Sequence, residues 1–129
     1  LSLVGSEMCI RDRDYLREVV HTAGEPGEDP VFASATQAVV QEDYSKALEW
    51  SVGMADLAHS TTGHATMLLR NVYGDFGGLM WLSGSTTSAE IAAANAAIRD
   101  SGEYLERLDA TEDLFVPGSG QQALLRRML

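Results

Sequence analysis

His59 and His64 stand five residues apart across Ser60-Thr61-Thr62-Gly63, close enough to suggest a shared metal. A metal would need a third ligand and an outer shell to orient the rings, and this spacing across a glycine turn fits no ligand motif. The pair reads instead as a helix-end and a strand-start histidine, and no metal is expected. Gly74-Asp75-Phe76-Gly77-Gly78 is glycine-rich, but it joins two apolar runs and opens no helix, so it lacks the context of a phosphate cradle. Ser119, between Pro117-Gly118 and Gly120, superficially resembles a nucleophile elbow, yet no His or Asp follows it to complete a triad. What remains is a set suited to holding a small apolar ligand. Trp81 is a large aromatic in mid-strand, Met67 and Leu69 are apolar, and Asn71 and Tyr73 are polar handles on the same strand face. Each also has a plain reading as core, interface or strand-end residue.

The elements that must position these residues follow from periodicity. Asp14–His21 has helical spacing, with Leu16, Val19 and Val20 on one face, and 24–30 reads as a linker of breakers and acids. Thr36–Gln41 predicts a strand. Asp43 is the expected N-cap of a helix over Tyr44–His59, stopped near Gly63. His64–Tyr73 and Leu79–Ser83 predict two strands. Thr87-Ser88-Ala89-Glu90 is a capping box that opens a second helix, broken at Ser101-Gly102. Leu114-Phe115-Val116 predicts a short fourth strand, and Ser119–Gln122 a capping box for a final helix to Leu129. The order β-α-β-β-α-β is the ferredoxin-like arrangement, a four-stranded antiparallel sheet with two helices on one face and here an added C-terminal helix.

The first residues stand apart from this pattern. Leu3-Val4-Gly5-Ser6-Glu7-Met8-Cys9-Ile10-Arg11-Asp12 matches, residue for residue, the translation of a transposon-end sequencing adapter. Residues 1–13 are therefore read as an artefact of a metagenomic fragment, residues 14–35 as a helix remnant and linker, and residues 36–129 as the domain. An upstream repeat or a signal peptide is left open by this reading. Glu7, Asp12, Arg11 and Arg13 cancel, so the formal net charge of −10 is unaffected. That acidity, with no basic cluster beyond Arg126-Arg127, argues against nucleic acid and anionic membranes as partners. The one cysteine lies in the adapter match, which leaves no disulfide framework and no thiolate chemistry. No apolar run is long enough to span a bilayer. A cytoplasmic setting is expected.

Strand alternation puts apolar residues on both sheet faces: Met67 and Leu69 oppose Leu68 and Val72, and Leu79 and Trp81 oppose Met80 and Leu82. Two helices cover one face only, so the other needs a cover. Self-association, an upstream repeat or the C-terminal helix would each provide one.

The segments Tyr44–Trp50, Thr62-Gly63, Tyr73–Trp81, Asp100–Tyr104 and Leu114–Ser119 together resemble the dimeric α/β-barrel superfamily, in its NIPSNAP-like and stress-responsive neighbourhood. The resemblance spans roughly Thr36 to Leu129. It implies two sheets packed face to face around an interior that holds a small ligand. It also implies catalytic relatives, among them cofactor-independent and haem-degrading monooxygenases, whose catalytic sets this chain does not match. Two functions follow as expectations. The first is a non-catalytic or small-ligand-binding module that needs no cofactor. The second is a cofactor-independent monooxygenase-like enzyme acting on an aromatic or polyketide-like substrate, oriented by Trp81, Tyr73 and Asn71.

Overall fold

The computed structural model describes residues 16–25, 27, 30–74, 76–110 and 114–127. The adapter match lies outside the described residues. The described chain forms β1 (Leu16–Ala23), β2 (Phe32–Val39), α1 (Tyr44–Thr62), β3 (Thr66–Tyr73), β4 (Gly78–Ser85), α2 (Ser88–Asp100), α3 (Gly102–Asp109) and β5 (Gln121–Arg126). The strands make one five-stranded antiparallel sheet in the order β1-β3-β4-β2-β5. Without β1, the chain is β-α-β-β-α-β with the fourth strand beside the first, which is the ferredoxin-like topology with one edge strand added.

The helix boundaries follow their caps. Asp43 accepts from the Lys46 amide at 3.1 Å, and Gly63, at φ 80°, closes α1 by donating to the His59 carbonyl. Only glycine adopts that left-handed turn without strain. Thr87 accepts from the Glu90 amide, while the Glu90 carboxylate reaches back to the Thr86 amide at 2.7 Å and to the Thr86 hydroxyl at 3.0 Å. The break between α2 and α3 is at Ser101, which ends one helix and caps the next by accepting from the Tyr104 amide.

Three expected elements differ in kind, and a fourth in its bounds: the strand expected at Thr36–Gln41 is β2, which begins at Phe32, inside the span 14–35 expected as helix remnant and linker. The expected helix at Asp14–His21 is strand β1 from Leu16 onward, paired with β3. The register shifts between Leu16 and Arg17 and again between Val19 and His21, so alternation breaks at both places. Glu18, His21 and Ala23 then pair with Arg70, Leu68 and Thr66, while Arg17, Val19 and Thr22 pair with Asn71, Leu69 and Met67. A bulged strand loses its period of two, and the result looks helical in sequence. The expected final helix is β5, with Ser119 accepting from the Val39 amide at 3.1 Å and not capping a helix. The expected strand at 114–116 is a single bridge, Val40 to Phe115. It runs along the same edge of β2 as β5, separated from it by the turn at Pro117-Gly118. The expected four strands are thus five.

The core sits between the sheet and the helices. Leu68 and Leu79 are fully buried against Ala55 and Ala23, with Val20, Leu48, Val52, Trp81 and Phe115 packed around them. Each such leucine contributes about 1.5–3 kcal/mol of burial. Edge strand β1 is pinned to α1 by the His21–Asp56 contact at 2.8 Å, and to β3 by Glu18–Arg70 at 3.1 Å.

Candidate functional site

The sheet has two unlike faces. Thr66 and Leu68 of β3, Leu79, Trp81 and Ser83 of β4, and Ser34 and Thr36 of β2 face the helices. Met67, Leu69, Asn71 and Tyr73 of β3 face the other way, in register with Leu82 and Met80 of β4. The structure therefore divides the residues singled out from sequence. Met67, Leu69, Asn71 and Tyr73 come together on the helix-free face, and Trp81 lies on the opposite one. Tyr73 is 66% exposed at the end of β3, beyond the stretch that pairs with β4.

Trp81 is one wall of a cleft between sheet and helices, of about 120 Å³. Its Nε1 donates to the Ser51 carbonyl at 3.1 Å, which fixes the ring. Trp50, from α1, meets Trp81 edge-on with centroids 6.2 Å apart, and Phe115 packs against both at 5.5 and 6.1 Å. These edge-to-face geometries are the favoured ones for aromatic pairs. Tyr104 and Leu108 of α3, Ile98 of α2 and Met54 of α1 complete the apolar lining. Hydroxyls of Ser34, Thr36, Thr66 and Ser83 line the sheet side, Thr66 and Ser83 being bonded to each other at 3.0 Å.

The electrostatics of the cleft are simple. None of its described lining residues carries a formal charge. Burial pushes the Tyr104 phenol above its ordinary pKa, so at neutral pH it is a proton donor and not a base. The Trp50 indole N–H is buried and has no hydrogen-bond partner. A buried orphan donor costs about 1–3 kcal/mol, which an acceptor brought by a ligand or a water would recover. Trp50, Tyr104, Ser34 and Thr36 were not singled out from sequence as site residues. Trp50 had a signal, as a tryptophan within the helix expected over Tyr44–His59. The hydroxyls had none, since their convergence depends on β2 lying beside β4.

A second, larger cavity of about 440 Å³ lies at the end of the sheet where β2 begins and β4 ends. Ala33, Met67 and Leu82 of the helix-free face are part of its lining. Among the described residues no group of three or more His, Cys, Asp or Glu is arranged to hold a metal ion. No described helix is long and apolar enough to cross a membrane.

No family model and no curated protein matches the chain. Solved structures do. The fold is similar to that of SnoaB, a cofactor-independent oxygenase from Streptomyces nogalater solved as a mutant, at TM-score 0.58 and 13% identity over 76% of this chain and 93% of that one. It is similar to a monooxygenase candidate from Fusobacterium nucleatum, at TM-score 0.62 and 13% identity over 88% of this chain. This chain spans 50% of that protein's length. It is also similar to a NIPSNAP family protein of unknown function from Agrobacterium tumefaciens, at TM-score 0.56 and 11% identity over 79% of this chain and 92% of that one. At such identities the likeness is one of fold, and the chain carries the α+β, ferredoxin-like fold that NIPSNAP-like proteins share with the cofactor-independent oxygenase SnoaB.

Proposed function

We propose that this chain is a small-ligand-binding module of the dimeric α/β-barrel type. Its ligand is an uncharged ring compound carrying a hydrogen-bond acceptor, held in the cleft between sheet and helices. The observation that carries this reading is the orphan indole N–H of Trp50 beside a lining with no charged residue. An ionised ligand would lose its hydration there without a counter-charge. A neutral ring gains aromatic walls and satisfies the donor.

Size favours binding of something small. The cleft, at about 120 Å³, is below the roughly 150 Å³ at which an engineered apolar cavity admits benzene. A one-ring ligand needs only a modest outward shift of α3. A polyketide-like substrate needs the 300–1,000 Å³ typical of ligand sites. The second reading is a cofactor-independent monooxygenase-like enzyme, supported by the likeness in fold to SnoaB. Tyr104 is the only titratable group among the described residues lining the cleft, and it is a poor base at neutral pH. That favours binding over catalysis.

Self-association is part of the proposal. The helix-free face carries Met67, Leu69, Met80 and Leu82, and a second copy would cover it. Light scattering on a sizing column gives a dimer mass on this reading. A monomer would sink it, and would fit a cover from an upstream repeat instead.

Both tryptophans of the chain line the cleft, so intrinsic fluorescence reports on it directly. Titration with acetophenone, a neutral aryl ketone, is expected to quench them saturably. Trp50→Phe, which removes the donor and keeps the ring, should weaken binding about fivefold, the value of one modest hydrogen bond. Affinity unchanged by Trp50→Phe and by the cleft-filling Ala58→Leu would overturn the site. For the enzymatic reading, oxygen uptake is measured with a panel of hydroxyaromatics. Turnover that Trp81→Phe and Asn71→Ala leave untouched counts against the residues assigned to it.

A further inference from the structure

We propose that the cavity at the end of the sheet is a separate binding site for small amphiphilic amines, molecules with an apolar body and one ammonium group. Its volume, about 440 Å³, is within the ordinary range for ligand sites and well above that of the helix-side cleft. Ala33, Met67 and Leu82 contribute an apolar floor, and Met67 adapts readily to an irregular guest. Gly84 lets Pro30 close one wall, because a Cβ there would meet the Pro30 ring at 2.8 Å.

The polar part of the lining selects the charge. Among the described lining residues, Glu25 and Glu90 are formally charged, His64 is the other titratable group, and none is Lys or Arg. Glu90 is held in place by Thr86, whose amide and hydroxyl donate to its two oxygens at 2.7 and 3.0 Å. The same bonds hold its carboxyl below the usual glutamate range, so it is ionised at neutral pH. A carboxylate accepts about four hydrogen bonds, which leaves roughly two for an ammonium. A helix N-terminus would ordinarily attract an anion. At α2 that place is taken, since Thr87 accepts from the Glu90 amide and the Glu90 carboxylate lies over the Thr86 amide. The formal net charge of −10 further concentrates cations around the molecule.

This site is independent of the proposed ring-binding cleft, which lies on the other face of the sheet. Calorimetry on the full chain at pH 8 tests it with three probes of similar shape: 2-phenylethylamine, 2-phenylethanol and phenylacetate. The expected result is saturable one-site binding of the amine, binding of the alcohol at least tenfold weaker, and no binding of the carboxylate. Glu90→Gln should weaken the amine about tenfold and leave the alcohol unchanged. Because Glu90 also caps α2, a second variant is needed: Ala65→Trp fills the cavity without touching the cap or the face proposed to self-associate, and should abolish amine binding. Trp50→Phe should leave amine binding intact, which separates failure here from failure of the cleft. Equal affinity for amine and alcohol, amine binding that survives Ala65→Trp, or no saturable amine binding would each overturn the proposal.

Discussion

On the helix side of the sheet, the large residues at the centre are held by named partners. Trp81 is anchored to the Ser51 carbonyl, Trp50 and Phe115 lock against it edge-on, and Leu68 and Leu79 are sealed by α1. On the other side no described helix lies over Met67, Leu69, Met80 and Leu82. A polar pair spans part of that face. Arg17 of β1 donates to Gln37 of β2 at 3.3 Å, although β3 and β4 lie between their strands. Three strand spacings are roughly 14 Å, so both side chains must extend toward each other. Leu69 and Met80 stand between them in the register, and Leu69 is only 6% exposed. The contrast teaches that the two faces are apolar for different ends. One is closed within the chain around a small cleft, and the other is only partly covered by the described residues.

The sharpest way to break this contrast is to cut each face once. Trp81→Ala should destabilise by about 3–5 kcal/mol, because it removes two aromatic contacts and leaves a cavity. Urea unfolding checks it. Met80→Glu should leave the folded protomer nearly as stable but lower self-association by several kcal/mol, since a carboxylate would be buried without a partner. Light scattering reads that, with Val72→Glu, an exposed site, as the control. If both substitutions cost the same protomer stability and neither changes the mass, the two faces do not differ as argued.

Smaller effects sharpen the helix side. Thr87→Ala removes the α2 cap and should cost about 1 kcal/mol in thermal unfolding. Gly53→Ala tests how α3 sits on α1. A Cβ there meets the Arg107 guanidinium at 2.6 Å, a flexible group that can move aside. The gain in helix propensity should then prevail, and Tm should rise by a few degrees at most, under about 1 kcal/mol. The smallest effect is on pH. The folded pKa of Glu90 is depressed by its bonds to Thr86, so its contribution is present above the ordinary glutamate pKa. It is lost as pH falls through the lower folded value. Thermal melts across the acid range should show a shallower fall for Glu90→Gln than for the parent.

Much of the helix side was legible in the sequence. Asp43, Gly63, Thr87 and Ser101-Gly102 mark helix ends by local chemistry, and the structure puts the ends there. The strands His64–Tyr73 and Leu79–Ser83 were readable because apolar runs between turn residues need no long-range help. The site was less so. Met67, Leu69, Asn71 and Tyr73 share a face as alternation requires, but Trp81 had to be separated from them by register. Tyr104 enters the cleft through a helix that begins two residues before it.

By itself, the sequence determined what local physics can set: caps, the Gly63 stop, apolar strands on both faces, and acidity that disfavours polyanions. Tertiary structure decided the first and last described strands. Gln121–Arg126 contains good helix formers behind a Ser-x-x-Gln signal, yet it is a strand, because the bare edge of β2 offers a row of hydrogen bonds. Leu16–Ala23 is a strand because β3 pairs with it around a bulge that its alternation could not advertise. Propensities of a few tenths of a kcal/mol per residue yield to a sheet edge, whose hydrogen bonds and packing arrive together once the rest of the fold exists.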